Sequence, residues 1–152
     1  MARQAADTFE KSNSAASNAW AHAILARNLL GKGNLGEARK ASQQAMSLST
    51  QVPGQAARYE AILADARIKA KSGQVAQARQ ELETMLTSTR KFGYRLSEYN
   101  ARLALAEIES GSGSASAHLR LASLENDARS SGALLVADQA KALSKASLSQ
   151  SK

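Results

Sequence analysis

Three glycines at a constant interval are the strongest constraint on the fold of this chain. Gly33, Gly73 and Gly113 lie 40 residues apart, and each separates two stretches in which apolar residues recur with helical spacing. A fixed period of roughly 20 to 50 residues indicates a repeat architecture, in which each unit buries its apolar face against its neighbours. The interval therefore predicts an array of helical hairpins. Because such an array offers an extended surface and no obvious pocket, it favours a binding scaffold over an enzyme.

The residues around the glycines repeat as well. Residues 33–39 (GNLGEAR) align with residues 73–79 (GQVAQAR), and an alanine stands seven positions before each glycine, at 26, 66 and 106. The third copy has diverged, because His118 stands where the other two copies have Ala38 and Ala78. We interpret the chain as three copies of one helical unit.

The composition predicts an all-α fold with a core of small residues. Of the 152 residues, 43% are hydrophobic but only 4% are aromatic, so alanine and leucine must fill most of the core. Strands need alternating β-branched and aromatic residues, which this chain lacks. The absence of cysteine excludes disulfides and thiolate metal sites. No stretch approaches the roughly 20 apolar residues of a membrane span, so we expect a cytoplasmic protein that does not enter membranes.

The repeats divide the chain into predicted segments. We expect an orphan helix over residues 1–12, which resembles the second half of a missing repeat and indicates the C-terminal piece of a longer protein. The main domain is predicted over residues 13–147, with repeats at about 15–52, 53–93 and 94–131, a capping helix at 132–147 and a disordered tail at 148–152.

Turn and cap signals place the individual helices. Asn34 is expected to cap a helix together with Glu37 three residues on, and Pro53 to lie in the first turn of the next helix. The helices are predicted at 15–31, 34–48, 53–72, 75–91, 95–110 and 115–130, with a last amphipathic segment at 134–143.

The repeat unit resembles a known family. The spacing of its small residues is similar to the tetratricopeptide repeat, because a small residue is followed by a glycine seven positions later and by an alanine five further, within antiparallel helix pairs. The period is longer than the roughly 34 residues usual there, and the overall style looks like the C-terminal arrays of bacterial multidomain signalling proteins. Asp65, Lys69, Arg102 and His118 depart from it, since the family prefers apolar residues at those places. The matching positions are Leu25, Ala26, Leu29, Gly33, Ala38 and Ala45 in the first repeat and Ile62, Ala66, Gly73, Ala78 and Leu82 in the second.

The resemblance implies a right-handed superhelix whose concave face, lined by the first helix of each repeat, holds a peptide or another domain. Arg27 and Arg67 would form one basic strip on that face, opposite Glu107. The family's clamp for a C-terminal carboxylate is not expected, because only Asn100 fits it. The residues that this register places on the concave face are Trp20, Arg27, Leu30, Glu60, Leu63, Arg67, Lys71, Asn100, Leu103 and Glu107.

Charge favours an anionic partner and leaves two other interpretations open. The chain carries 20 Lys and Arg against 13 Asp and Glu, a net charge of +7, and its densest basic stretches are residues 67–71 (RIKAK) and Arg90-Lys91 with Arg95. An acidic protein or peptide segment would suit this surface. Nucleic acid is the main alternative, although few aromatic residues are present for stacking on bases. Self-association through Phe9 or through Leu134 and Leu135 is the third interpretation.

The sequence shows no arrangement typical of catalysis. His22 and His118 are the only histidines and belong to different repeats, so neither a metal-binding face nor a nucleophile beside a histidine base is apparent. The glycines at 31, 33 and 36 follow a helical pattern, whereas a phosphate-binding loop follows a strand. We therefore expect a non-catalytic interaction module without a metal or cofactor.

Overall fold

A computed structural model describes the backbone of residues 2–110 and 115–149 and the side chains of residues 15–110 and 117–147. Over these residues the chain is helical, without strands, which confirms the predicted all-α class. The helices are α1 (Ala2–Gly31), α2 (Leu35–Ser49), α3 (Ala56–Lys71), α4 (Val75–Phe92), α5 (Arg95–Ser110), α6 (Ala115–Ser130) and α7 (Leu134–Ser149).

Glycines in the left-handed conformation end four of the helices. Gly33 has a φ of 79°, its N–H donates to the Leu30 carbonyl at 3.0 Å, and the N–H of Asn34 donates to the Leu29 carbonyl at 2.9 Å. This pair of bonds is the Schellman motif, which needs a residue that tolerates positive φ. The same two bonds recur at Gly73, Gly93 and Gly132. The predicted turns at Gly33 and Gly73 are confirmed, and Gly113 lies outside the described residues.

The N-terminal helix is longer than predicted. The sequence pattern predicts a separate helix that ends at residue 12, but α1 continues through that point as one 30-residue helix. Serine and asparagine around residue 13 are only moderately unfavourable in a helix, and no glycine or proline interrupts residues 2–30. At the other end of the chain, α7 extends to Ser149, two residues into the predicted tail, and residues 150–152 lie outside the described part.

Two predicted helix starts are wrong in detail. Asn34 stands at the N-cap of α2, but with φ −81° and ψ 66° its side chain makes no capping bond. Side-chain capping requires an extended backbone at this position, whereas Asn34 also closes the preceding turn. Glu37 pairs instead with Lys40 at 3.0 Å. Pro53 precedes α3 rather than joining its first turn, because Gly54 has a φ of 102° and cannot belong to a helix.

The helices form two compact units, α1 to α3 and α4 to α7, with the boundary between Gln74 and Val75. This boundary falls inside the predicted second repeat at 53–93. In the first unit each helix contacts the other two. The core cluster described for this unit is almost entirely alanine, as the low aromatic content predicts, and comprises Ala23, Ala26, Ala38, Ala41, Ala45, Ala61, Ala64 and Ile68.

Asp65 and Lys69, two residues at places where the family prefers apolar side chains, form a polar contact inside the first unit. The Ser42 hydroxyl of α2 donates to Asp65 Oδ1 at 2.9 Å, and Lys69 Nζ lies 2.7 Å from Asp65 Oδ2. Because the carboxylate has a partner on each side, it can occupy a largely buried position.

In the second unit α5 contacts α4, α6 and α7, and α6 also contacts α7. The Tyr99 hydroxyl of α5 donates to the Asp127 carbonyl of α6 at 3.3 Å. The core cluster contains larger side chains than its counterpart in the first unit and comprises Tyr99, Leu103, Ala106, Leu121, Leu124, Ala128, Val136, Ala137 and Ala140.

Candidate interaction surfaces

Among the described side chains of α1, three large apolar ones are exposed. Trp20, Ile24 and Leu25 are 47%, 50% and 46% exposed, whereas the fully buried residues of this part are alanines, and Leu29 and Leu30 pack partly buried against the core cluster. Residues 19–26 are apolar except for one histidine, so the helix is apolar around most of its circumference. α2 and α3 can cover only one side of such a helix. The buried residues of α1 are Ala19, Ala23 and Ala26.

Trp20 and Ile24 form the centre of a stripe on this outer surface. They are four residues apart and so lie one turn apart on the same face, with Arg27 a further turn along. Arg27 Nη1 lies 3.9 Å from Glu60 Oε2 of α3. The predicted repeat register assigns Leu25 to a helix-packing position, and this prediction is wrong, because the Leu25 side chain is 46% exposed. We call Trp20, Ile24 and Leu25 the α1 stripe.

The residues predicted for the concave face are divided between the two units. In the first unit Trp20, Arg27 and Lys71 are exposed and Leu30, Glu60 and Arg67 are half-buried. In the second unit Asn100 and Glu107 are half-buried. Among these residues the structure brings Arg27 and Glu60 together across two helices. The role of the exposed set in binding stays a prediction.

Leu63 and Leu103 require a correction. Both were predicted to line the partner face, but both are buried within their units, and Leu103 packs in the core cluster with Leu121 and Leu124. They stand 40 residues apart, so the same error occurs at equivalent places of two repeats. Leucine at these positions stabilises the helix packing and is not accessible to a ligand.

A buried carboxylate joins three helices of the second unit. Glu109 of α5 is almost completely buried, and its Oε1 accepts a hydrogen bond from Arg120 Nη1 of α6 at 2.8 Å. Arg79 Nη2 of α4 lies 3.4 Å from the same oxygen. The two arginines are half-exposed, so they connect this buried carboxylate to the surface. No sequence motif marks this contact, because its three residues lie on three different helices.

A cavity of about 360 Å³ lies beside these arginines in the second unit. Three helices contribute to it, and its lining contains three leucines and three arginines. We call it the arginine–leucine pocket. It is lined by Leu86 and Arg90 of α4, Arg102 and Leu105 of α5, and Leu119, Arg120 and Ser123 of α6.

None of the residues predicted for partner binding lines this pocket. Two sequence signals did point toward it: the basic stretch at Arg90, and Arg102, which departs from the apolar preference of the repeat. Arg102 Nη1 lies 2.8 Å from Asp127 Oδ2, and its Nη2 donates to Ser123 Oγ at 3.2 Å. His118, the other departure in this repeat, lies 3.5 Å from Ser144 Oγ through Nδ1.

Another arginine, Arg129, joins α6 to α7. It contacts Asp138 Oδ1 at 3.1 Å and Glu125 Oε1 at 3.3 Å, and these hydrogen bonds, the one to Asp138 above all, raise the pKa of its guanidinium. Arg129 does not line the pocket, which makes it a useful control residue.

The described part of the chain holds no cluster of three or more His, Cys, Asp or Glu side chains placed to bind a metal ion. Within that part, every helix is too short or too polar to cross a bilayer. These helices define an all-α protein with two exposed surfaces of unlike chemistry. Comparison with protein-family models, curated proteins and solved structures found no match. The relation to tetratricopeptide repeats stays a prediction.

Proposed function

We propose that this chain is a non-catalytic protein-binding module of the tetratricopeptide-like type, and that the α1 stripe is part of its partner face. The single observation that carries the proposal is the inverted amphipathicity of α1, which buries alanines and exposes Trp20, Ile24 and Leu25. Contiguous exposed apolar surface of this kind marks interaction sites on proteins, and tryptophan is prominent among interface residues that dominate binding energy.

The helix contacts within each unit support a repeat arrangement. In the first unit α1 and α2 form a hairpin, and both contact α3. In the second unit α5 and α6 form a hairpin, and both contact α7. A stack in which each hairpin packs against the first helix of the next would have this scheme throughout. Under this proposal the exposed apolar side of α1 continues the apolar surface with which α1 packs against α2 and α3.

Charge plays a secondary part on this face. Arg27 is the cation closest to the stripe along α1, and Glu60 already lies within ion-pair distance of it. Arg67 and Lys71 of α3 add positive charge in the same unit. We therefore expect apolar contact to supply most of the affinity and the basic residues to set the orientation of an acidic partner.

The test is affinity capture from native bacterial lysate after nuclease treatment, with the bound proteins identified by mass spectrometry. The wild-type chain is compared with Trp20→Ala/Ile24→Ala and with the matched variant Leu134→Ala/Leu135→Ala, which removes two exposed leucines from α7. We expect a protein retained by wild type and by the α7 variant to be lost with the α1 variant. Binding is then measured with that protein in purified form.

A second arm tests the basic residues. Arg27→Glu/Arg67→Glu is compared with Lys40→Glu/Arg58→Glu, which makes the same change of net charge elsewhere in the first unit. If all four variants capture the same proteins as wild type, the proposed face is wrong. If the α1 variant instead converts a dimer into a monomer by light scattering, the stripe binds a second copy of the chain.

A further inference from the structure

The arginine–leucine pocket is chemically unlike the α1 stripe. Its lining contains the side chains of three arginines and three leucines and no carboxylate. The carboxylates that partner these arginines lie outside the lining, so the wall of the pocket itself is cationic and apolar. Small-molecule and peptide sites combine apolar walls with a few polar groups that fix orientation, and this cavity has that composition.

Each of the three arginines is held in place by a carboxylate. Arg90 Nε donates to Glu98 Oε1 at 2.9 Å, and Arg120 Nη1 donates to Glu109 Oε1 at 2.8 Å. A guanidinium has five N–H donors in a planar fork, so these bonds leave most of the donors of both side chains for other acceptors. Fixing a long side chain in advance lowers the entropy lost when a ligand binds.

The three arginines differ in how far they are exposed and free to bind a ligand. The side chains of Arg90 and Arg120 are 59% and 52% exposed, whereas that of Arg102 is only 18% exposed. Arg102 uses both terminal nitrogens for Asp127 and Ser123 and lies over the Tyr99 ring. Arg102 is therefore part of the wall, and the two exposed arginines on either side of α5 are the groups that can bind an anion.

The leucines determine what kind of anion fits. Leu105 is buried in the wall and Leu119 is 76% exposed on α6, next to Arg120. A ligand that satisfies the arginines while covering this leucine must present carboxylates beside an apolar side chain. A sugar-phosphate backbone supplies the charge but no apolar group, and the lining offers no aromatic ring on which a base could stack.

We propose that the arginine–leucine pocket is a second docking site, which binds an acidic peptide segment of a partner in which carboxylates flank a leucine-like side chain. Arg90 and Arg120 each bind a carboxylate, and the apolar side chain packs against Leu119 and Leu86. The site lies on α4 to α6 and shares no residue with the α1 stripe. It is therefore independent of the function proposed above, and would give one chain two sites of different chemistry.

The probe is a fluorescein-labelled hexapeptide with the sequence Asp-Glu-Leu-Leu-Asp-Glu, titrated by fluorescence anisotropy against the intact chain. Two control peptides replace the acids by their amides or the leucines by serine. We expect saturable binding of the first peptide with a Kd below about 1 mM, and binding at least about 10-fold weaker for each control. Chemical-shift mapping by NMR should place the perturbed amides on α4, α5 and α6.

Matched variants separate the pocket from general charge. Arg90→Ala/Arg120→Ala should weaken peptide binding about 10-fold or more, since each charge-assisted hydrogen bond contributes more than a neutral one. Arg95→Ala/Arg129→Ala makes the same change of net charge in the same unit and should keep affinity within about 3-fold. Leu119→Ser should weaken binding without changing charge. Because Leu119 is exposed, the substitution should leave the fold intact, which circular dichroism checks.

Four results would overturn the proposal. Equal losses in the two arginine pairs would show unspecific attraction to a basic surface. Absence of saturable binding to the folded chain would show that the pocket does not take this ligand. Tighter binding of a single-stranded oligonucleotide that depends on Arg90 and Arg120 would make the ligand a nucleic acid. Loss of peptide binding in the variant Trp20→Ala/Ile24→Ala would place the peptide on the α1 stripe. If this variant still binds the peptide, the failure of one proposal can be told apart from the failure of the other.

Discussion

The sharpest test of the fold compares two leucines two residues apart on α6. Leu121 is completely buried in the core cluster of the second unit, whereas Leu119 is 76% exposed. Residues two apart on a helix point about 200° apart, so the two side chains lie on opposite sides of α6. Leu121→Ala and Leu119→Ala make the same chemical change with the same effect on helix propensity. Any difference between them therefore reports on burial.

The expected magnitudes are well separated. Leucine to alanine removes three carbon atoms, which at about 0.8 kcal/mol for each buried methylene gives roughly 2.4 kcal/mol for Leu121. The cavity left behind adds to this, and fully buried leucines lose about 2.7 to 5 kcal/mol in such substitutions. Leu119 is mostly in water already, so its loss should stay within about 0.5 kcal/mol. The difference should exceed roughly 2 kcal/mol.

The free energy of unfolding is measured by urea titration with far-UV circular dichroism, with Trp20 fluorescence as a second probe that lies only in the first unit. If both variants lose the same stability, or if Leu119→Ala loses more, the face of α6 assigned to the core is wrong. In that case Leu119 would also not be available to the arginine–leucine pocket. This measurement therefore has to precede any binding experiment that uses Leu119.

Other predictions concern the turns and the buried carboxylate. Gly93→Ala should lower the free energy of unfolding by about 1 to 2 kcal/mol, because the residue has a φ of 76° and no atom lies near the added methyl group, so only backbone strain acts. Gly36→Ala lies inside α2 and is equally uncrowded, so it should instead raise the free energy of unfolding by up to about 1 kcal/mol. If Gly93→Ala and Gly36→Ala have the same effect on thermal unfolding, the turn assigned at Gly93 is wrong. Glu109→Gln should lower the free energy of unfolding by about 1 to 2 kcal/mol, since Arg79 and Arg120 are half-exposed and can be hydrated again. This loss should become smaller in about 1 M salt. A loss that does not change with salt would mean that packing rather than charge is responsible.

The sequence predicted helices best where glycine marks their ends. α5 and α6 have the predicted bounds, 95–110 and 115–130, because turn residues flank both segments. Prediction failed where no local residue decides the outcome. Residues 12–14 carry no strong helix breaker, so whether α1 continues depends on propensities that differ by only a few tenths of a kcal/mol. At Pro53 the deciding feature is the conformation of the next glycine.

Surfaces were harder to predict than helices. A helical period shows which residues share a face, but residues 19–26 of α1 are apolar on nearly all faces, so the sequence could not tell that Ala23 would be buried and Leu25 exposed. The arginine–leucine pocket depends on contacts between residues far apart in the chain, such as Arg102 with Asp127 and Arg120 with Glu109. No short motif encodes these pairs. The usable signals were the basic stretch at Arg90 and Arg102, a charged residue at a position where the predicted repeat expects an apolar one.

The inverted amphipathicity of α1 leads to a last prediction, about local stability. Among the described side chains, the buried residues of α1 and α2 are alanines and two serines, which bury little apolar area, whereas α6 and α7 pack leucine and valine side chains into their core. Burying alanine contributes roughly half or less of what burying leucine does. Amide hydrogen exchange should therefore be less protected in α1 and α2 than in α6 and α7. Adding a partner that covers Trp20 should raise protection in α1 and α2 and leave α6 and α7 unchanged. If α1 and α2 are already the best protected helices in the free chain, the alanine packing is sufficient by itself, and the exposed face of α1 does not need a partner for stability.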